Sequence, residues 1–400
     1  MKCALSLLFG FLILATASAQ DRVPVTFKAF PPEYEVFSRG ERLSYSPRDD
    51  GLRTYFLPPG PVRVNLTAPG SSPQSLSLDV KAGMARVETK LEPRQGAMAL
   101  LREASTGKLP RSVAFSADGK QVFVALQGEP GVDVYDVPSL KKEQRLVPSD
   151  GVQGGFTDVL AVGGEVWTVQ NDGRVHAFDA KTLAFKDSHA LSGGGNAFLT
   201  DLGSGKVALS NWDLGQVSLI DAASRKAVSS LSLSGSVRGF AFRQGLGYVT
   251  LFDKGQVAVV DASTWKTKVV WSAGKAPRPV AVLGSVLFVG DMASAQINLI
   301  DTATGKVFKT VSVPSNPHAM AVSADGSLMA VASRGRNNPS DYQLPGPEFG
   351  RVTLLNGKGE VVASVWGRNQ PTGLAFSPDG SYLAFTDFLD NNLELYRVNP

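Results

Sequence analysis

VDVYD at Val132–Asp136, VHAFD at Val175–Asp179, VSLID at Val217–Asp221 and VAVVD at Val257–Asp261 are variants of one segment. The series continues as INLID at Ile297–Asp301, VTLLN at Val352–Asn356 and LELYR at Leu393–Arg397. The last residues of the seven copies lie 43, 42, 40, 40, 55 and 41 positions apart, a near-constant period that marks a repeat architecture. A second marker, Pro-x-x-apolar-Ala-apolar, precedes the copies at Pro110, Pro277, Pro317 and Pro371, with degenerate forms from Thr157 and Val237. Three of these run into Asp-Gly hairpin signals, at Asp118-Gly119, Asp325-Gly326 and Asp379-Gly380. Alternating β-branched stretches follow, and no segment of helical period interrupts them.

Each unit therefore predicts four short antiparallel strands, lettered A to D from the inside outward. Units of this size close radially into a β-propeller, and seven of them predict a seven-bladed ring. The seventh unit ends at Pro400 after its third strand, while Ala97–Glu103, ahead of the first unit, is an unassigned β-like stretch. Pairing the two would close the ring. A linear solenoid, the alternative, would leave the last sheet unfinished and its edge open.

GYVTLFDKGQVAVVDAST (Gly247–Thr264) and INLIDTATGKVFKTVSVPSNPHAMAVSADGS (Ile297–Ser327) resemble the YVTN-type β-propeller repeat family. Tyr248-Val249-Thr250 match the eponymous motif, and Leu251 stands where the family has Asn. The resemblance covers residues 97–400. It implies the fold and leaves activity open, because such propellers include surface-layer, periplasmic binding and lactonase-like members.

The flanking regions bear on compartment. Lys2, the twelve-residue apolar run Ala4–Ala15 and Ala17-Ser18-Ala19 have the layout of a cleaved signal peptide over residues 1–19. The run is too short to span a bilayer, so no transmembrane segment is expected after cleavage. Removing it takes away Cys3, the one cysteine, which excludes disulfides, thiol catalysis and thiolate metal sites. Losing Lys2 lowers the formal charge from +4 to +3, too little for a nucleic-acid protein. The expected location is the periplasm, the medium or the cell surface. Residues 21–95 lack the repeat. Leu57–Pro93, with a Pro-Gly turn, the alternating VRVNL strand, a second turn at Pro69-Gly70 and two further strands, resembles a PEGA-type β-sandwich module. That resemblance implies a spacer or adhesive role in the envelope; a decorated hairpin is the alternative. Asn65-Leu66-Thr67 matches a glycosylation acceptor, which matters only in a eukaryotic secretory route.

Strand order assigns the loops to two faces. A–B and C–D turns are short and generic. The D–A/B–C face carries Arg334–Gly350 (RGRNNPSDYQLPGPEFG), an insertion between strands B and C of the sixth unit that accounts for the 55-residue spacing. Loops of this length in compact domains are usually functional or disordered. Arg334, Arg336, Asn337, Asn338, Asp341, Tyr342 and its prolines suit an ordered recognition loop. Internal alignment also predicts which residues ring the channel mouth: Arg111, Asp158, Asn196, Arg238, Arg278, His318 and Thr372. That rim is net positive and attracts anions. The competing expectation is an ordinary ionic collar, in which Asp213, Asp253, Asp291, Asp387 and Asp390 of the B–C turns pair with the arginines.

No GxSxG elbow, phosphate loop or dinucleotide fingerprint is present, and Gly193-Gly194-Gly195 suits an inter-blade turn. By pattern His176, His189 and His318 fall on a strand C, a strand D and a D–A loop, so a three-His metal site is not expected. Propeller lactonases hold a divalent cation on this face. Asp213, Asp253, Asp291 and Asp387, with Asn211 and Asn316, could imitate such a site, so a metal-dependent lactonase-like hydrolase is the alternative function. Trp212 and Phe388 are candidate aromatic platforms. The favoured reading is an exported, non-enzymatic binding or scaffold protein without a cofactor. Its partner would be a protein, peptide or cell-envelope component, anionic glycan included, and not nucleic acid. The expected contact residues are Arg111, Arg238, Arg278, His318, Arg334, Arg336, Asn337, Asn338, Asp341, Tyr342 and Arg368. A surface-layer assembly component is a third class.

Overall fold

The computed structural model of the protein describes residues 22–30, 34–48, 52–68, 71–91, 97–191, 195–346 and 348–399. The expected signal peptide with Cys3, the Pro69-Gly70 turn and Gly193-Gly194 lie outside them. Among the described residues there is no α-helix, and no helix long and apolar enough to cross a membrane. The chain divides into two compact units, the second taking in Glu92–Pro400.

The first unit holds two four-stranded sheets. One places Val23–Phe30 between Arg53–Leu57, antiparallel, and Val87–Lys90, parallel. The other pairs Glu35–Ser38 with Gly60–Thr67, which pairs in turn with Gln74–Val80. Alternation in these strands sends Val25, Phe27, Val36, Tyr55, Leu57, Val64 and Leu66 into one shared core.

The second unit contains seven four-stranded sheets, in six of which four consecutive strands pair in chain order. The innermost strands are Pro110–Phe115, Phe156–Val162, Ala197–Gly203, Val237–Arg243, Pro277–Leu283, Pro317–Val322 and Pro371–Phe376. Each packs against its neighbours on either side, and Pro371–Phe376 packs against Pro110–Phe115, so the strands form a closed cycle. In the last sheet the fourth strand is Met98–Ser105, which pairs antiparallel with Asn392–Val398 in a register that sets Glu103 opposite Glu394. Thr386 Oγ1 also donates to Pro110 O at 3.1 Å across the same junction. The fold is propeller-like.

The repeat has a physical reason at each marker. Second strands are almost wholly buried, as in Gln121–Leu126 and Glu165–Gln170, and so are rich in apolar residues on both faces. The Asp that ends the third strand caps the following turn: Asp301 Oδ1 accepts from Ala303 N at 3.0 Å and Thr304 N at 2.8 Å. Asp179, Asp221, Asp261 and Asn356 do the same in their turns. A proline at the start of an innermost strand costs no ladder hydrogen bond because that strand is an edge. Directly after it the ladder register shifts, between Pro110 and Ser112, Pro277 and Val280, Pro317 and Ala319, and Pro371 and Leu374. Bulges of this kind re-aim side chains.

A candidate anion-binding mouth

The innermost strands line a central cavity of about 440 Å³. Above it, on the face of the D–A and B–C loops, opens a second pocket of about 290 Å³ lined by Arg111, Arg238, Arg278 and Arg334. Gln127, Asn196, Phe198, Trp212, Met292, Asn337 and Tyr342 complete that lining, which contains no Asp or Glu among the described residues. Three of the four arginines sit in the register shift that follows the strand start, and the fourth opens the long insertion.

Among the described residues none of the four guanidiniums is ion-paired with a carboxylate; three are hydrogen-bonded to a neutral side chain and the fourth rests on a ring. Arg111 Nη1 donates to Gln127 Oε1 at 3.0 Å, and its Nε, though buried, has no partner among the described residues. Arg278 Nη2 lies 2.6 Å from His318 Nε2, and Arg278 Nε is likewise unpartnered. Arg334, only 4% exposed, donates to Gln370 Oε1 and leaves its own Nε unpartnered. Arg238, 8% exposed, lies 3.4 Å from the Phe198 ring centroid and makes no hydrogen bond or ion pair through its guanidinium among the described residues. Phe388 is fully buried beneath the cluster, with Arg111 and Arg334 each 5.8 Å from its centroid.

The electrostatics follow from this geometry. Burial presses all four arginines below their usual range, Arg334 to about 9. For Arg238, Arg278 and Arg334 the neighbouring guanidiniums add to the effect. An arginine does not give up its proton near neutral pH, so these directions express a want of counter-charge. His318, buried beside Arg278, is pushed well below the usual imidazole range, first by burial and then by the arginines. Its neutral Nε2 accepts from Arg278, while Nδ1 faces Thr372 O at 3.3 Å. His318 therefore positions Arg278.

Among the described residues Asp213, Asp253, Asp291 and Asp387 bond backbone amides and not the mouth arginines, so the expected ionic collar is not seen there. Asp213 accepts from Asn196 N, Asp253 from Ser236 N, Asp291 from Lys275 N and Ala276 N, and Asp387 from Arg368 N. Asp390 takes Asn369 N. These aspartates tie the B–C turns to the incoming D–A loops, and the backbones must approach closely to allow it. At Gly195, with φ +84°, a Cβ would lie 1.9 Å from Asp213 Oδ2, so this glycine is required by that contact. The same division of labour separates Asp213, Asp253, Asp291 and Asp387 onto four sheets. Among the described residues no group of three or more His, Asp or Glu is placed to hold a metal ion.

The expected contact residues divide accordingly. Arg111, Arg238, Arg278, Arg334, Asn337 and Tyr342 come together in the pocket, with His318 directly below in the channel wall. Arg336 turns outward to Glu348 at 2.9 Å. Asn338 braces the insertion through Pro345 O, Asp341 caps Gln343 N, and Arg368 pairs with Glu103 at 3.5 Å. In the second sheet the rim register is one residue off: Phe156 pairs with Gln170, so Thr157 occupies the position of Arg111 and Asp158 that of Ser112. Asp158 is consumed by Ser112 Oγ, Val159 N and Leu199 N. In the third sheet Phe198, not Asn196, follows the strand start, although Asn196 still lines the pocket. Gln127, Phe198 and Met292 are lining residues that the repeat did not single out.

Fold and mouth together define a propeller-like protein with an unneutralised arginine cluster at one end of its channel. No protein-family model matches the chain. It is similar to antigen Lp49 of Leptospira interrogans serogroup Icterohaemorrhagiae serovar copenhageni (strain Fiocruz L1-130), with 28% identity over 311 residues, 73% of this chain and 68% of the antigen. A chain in the crystal structure of the mitotic checkpoint complex superposes with TM-score 0.63 over 82% of this chain and 99% of its own length, at 18% identity. That likeness is one of fold.

Proposed function

We propose that this chain is an exported, surface- or periplasm-associated binding protein, without catalytic activity or cofactor. Its arginine-lined mouth would take the anionic group of a partner, whether protein, peptide or envelope glycan. In this reading residues 97–400 are a seven-bladed propeller of the YVTN type, supported by the seven sheets and the cycle of innermost strands. The first unit would be a PEGA-like sandwich, supported by its two sheets around one core. The similarity to a protein named as an antigen supports a surface setting.

One observation carries the proposal: four buried or half-buried guanidiniums face one pocket whose lining holds no acid among the described residues. Uncompensated buried charge is costly, and an arriving oxyanion would supply fork-shaped, charge-assisted hydrogen bonds to it. Thermal unfolding tests this directly. At matched ionic strength, replacing chloride with inorganic phosphate should raise the melting temperature by roughly 2–5 °C. The rise should vanish in Arg238→Met. Equal melting temperatures in the two salts would refute the reading.

A further inference from the structure

We infer that the anionic group enters this mouth as part of a single acidic sugar unit, a hexose-sized ring bearing a carboxylate or phosphate. The inference rests on the anion-binding reading above and specifies it. The pocket's two levels have different chemistry. Its floor is cationic, formed by Arg111, Arg238, Arg278 and Arg334. Its rim is neutral and amphipathic, with Trp212 half-buried, Tyr342 42% exposed, and the amides of Asn196 and Asn337.

The rim groups have open valences. Trp212 is fixed by its ring contact with Phe252 at 5.0 Å and by backbone hydrogen bonds with Asn196 and Gly215, while its indole N–H has no partner among the described residues. The Asn337 Oδ1 is buried and unpartnered, and the Asn196 side chain makes no hydrogen bond among the described residues. Unpartnered amides and an aromatic face match a sugar. Hydroxyls both donate and accept, as amides do, and the C–H face of the ring covers aromatic surface. An acidic peptide side chain would satisfy the floor and leave these rim groups unmet. The pocket, about 290 Å³, is the size of a small-ligand site.

Quenching of tryptophan fluorescence in the full-length mature protein supplies the test, with inorganic phosphate, acetate, glucose, glucuronate, glucose 6-phosphate and a tetraglutamate peptide as probes. Glucuronate should bind roughly tenfold tighter than acetate, and glucose 6-phosphate roughly tenfold tighter than phosphate, the size of one aromatic contact with a hydrogen bond. Glucose should not bind. Calorimetry on Trp212→Ala should show the sugar increment lost and phosphate binding kept, and Arg238→Met should lose both. If the acidic sugars bind no tighter than the bare anions, or tetraglutamate binds tighter than either sugar, the sugar inference fails while anion binding stands. If no anion binds, or glucose binds as well as its charged analogues, the anion reading fails with it. A folded Asn337→Ala protein with a weakened sugar increment and unchanged phosphate affinity would support the same assignment independently, and an unchanged increment would oppose it.

Discussion

Arg238 shows what a binding residue costs the unliganded protein. Its guanidinium rests on Phe198, has three like charges for neighbours, and feels the opposing charge of Asp158 without an ion pair to it among the described residues. Replacing it with methionine keeps a flexible apolar side chain against Phe198 and removes the repulsion. In buffer free of oxyanions Arg238→Met should therefore be more stable than the parent, by about 1–2 kcal/mol in denaturant titration. A loss of stability would mean that the cluster is neutralised within the fold. The arginines themselves were legible in the sequence: Arg111, Arg238 and Arg278 each follow the start of the Pro-type marker or its degenerate form, and Arg334 opens the long insertion. Thr157 and Phe198 were not. Their strands start with Phe156 and Ala197 instead of proline, and only the ladder shows where the bulge falls or, in the third sheet, that it is missing.

At the scale of elements, the acids of this chain mostly serve turns and seams. One such seam joins the second and third sheets. Glu165 accepts from Arg225 through both carboxylate oxygens, at 2.8 and 3.0 Å, from Lys186 Nζ at 2.6 Å and from Trp167 Nε1 at 2.8 Å. Burial would raise its carboxyl, but these donors outweigh that and hold it at about 2. A carboxyl lowered in the folded state contributes stability above its unfolded value, near 4.5, and loses it as pH falls toward 2. Urea midpoints measured from pH 6 to pH 2.5 should thus fall for the parent. Glu165→Gln should start about 2 kcal/mol lower at pH 6 and fall less steeply. Parallel slopes would show that Glu165 is not the group responsible. Period and turn chemistry made the four-stranded unit readable in advance. The use of the B–C aspartates was not readable, since an Asp near an Arg in sequence space does not reveal that a backbone amide lies closer.

On the scale of the whole molecule, the mouth is a product of closure. Arg111 comes from the first sheet, Arg238 and Arg278 from the fourth and fifth, and Arg334 from the insertion after the second strand of the sixth. None of these segments makes a site alone. They converge because the innermost strands complete a cycle, and Met98–Ser105 supplies the last sheet's fourth strand. Crystals of the protein soaked in selenate give the most direct view of what that convergence does. The predicted result is an anomalous peak in the mouth, within about 3 Å of guanidinium nitrogens of Arg238, Arg278 and Arg334. A mouth without selenate, in crystals whose surface lysines carry it, would contradict the account.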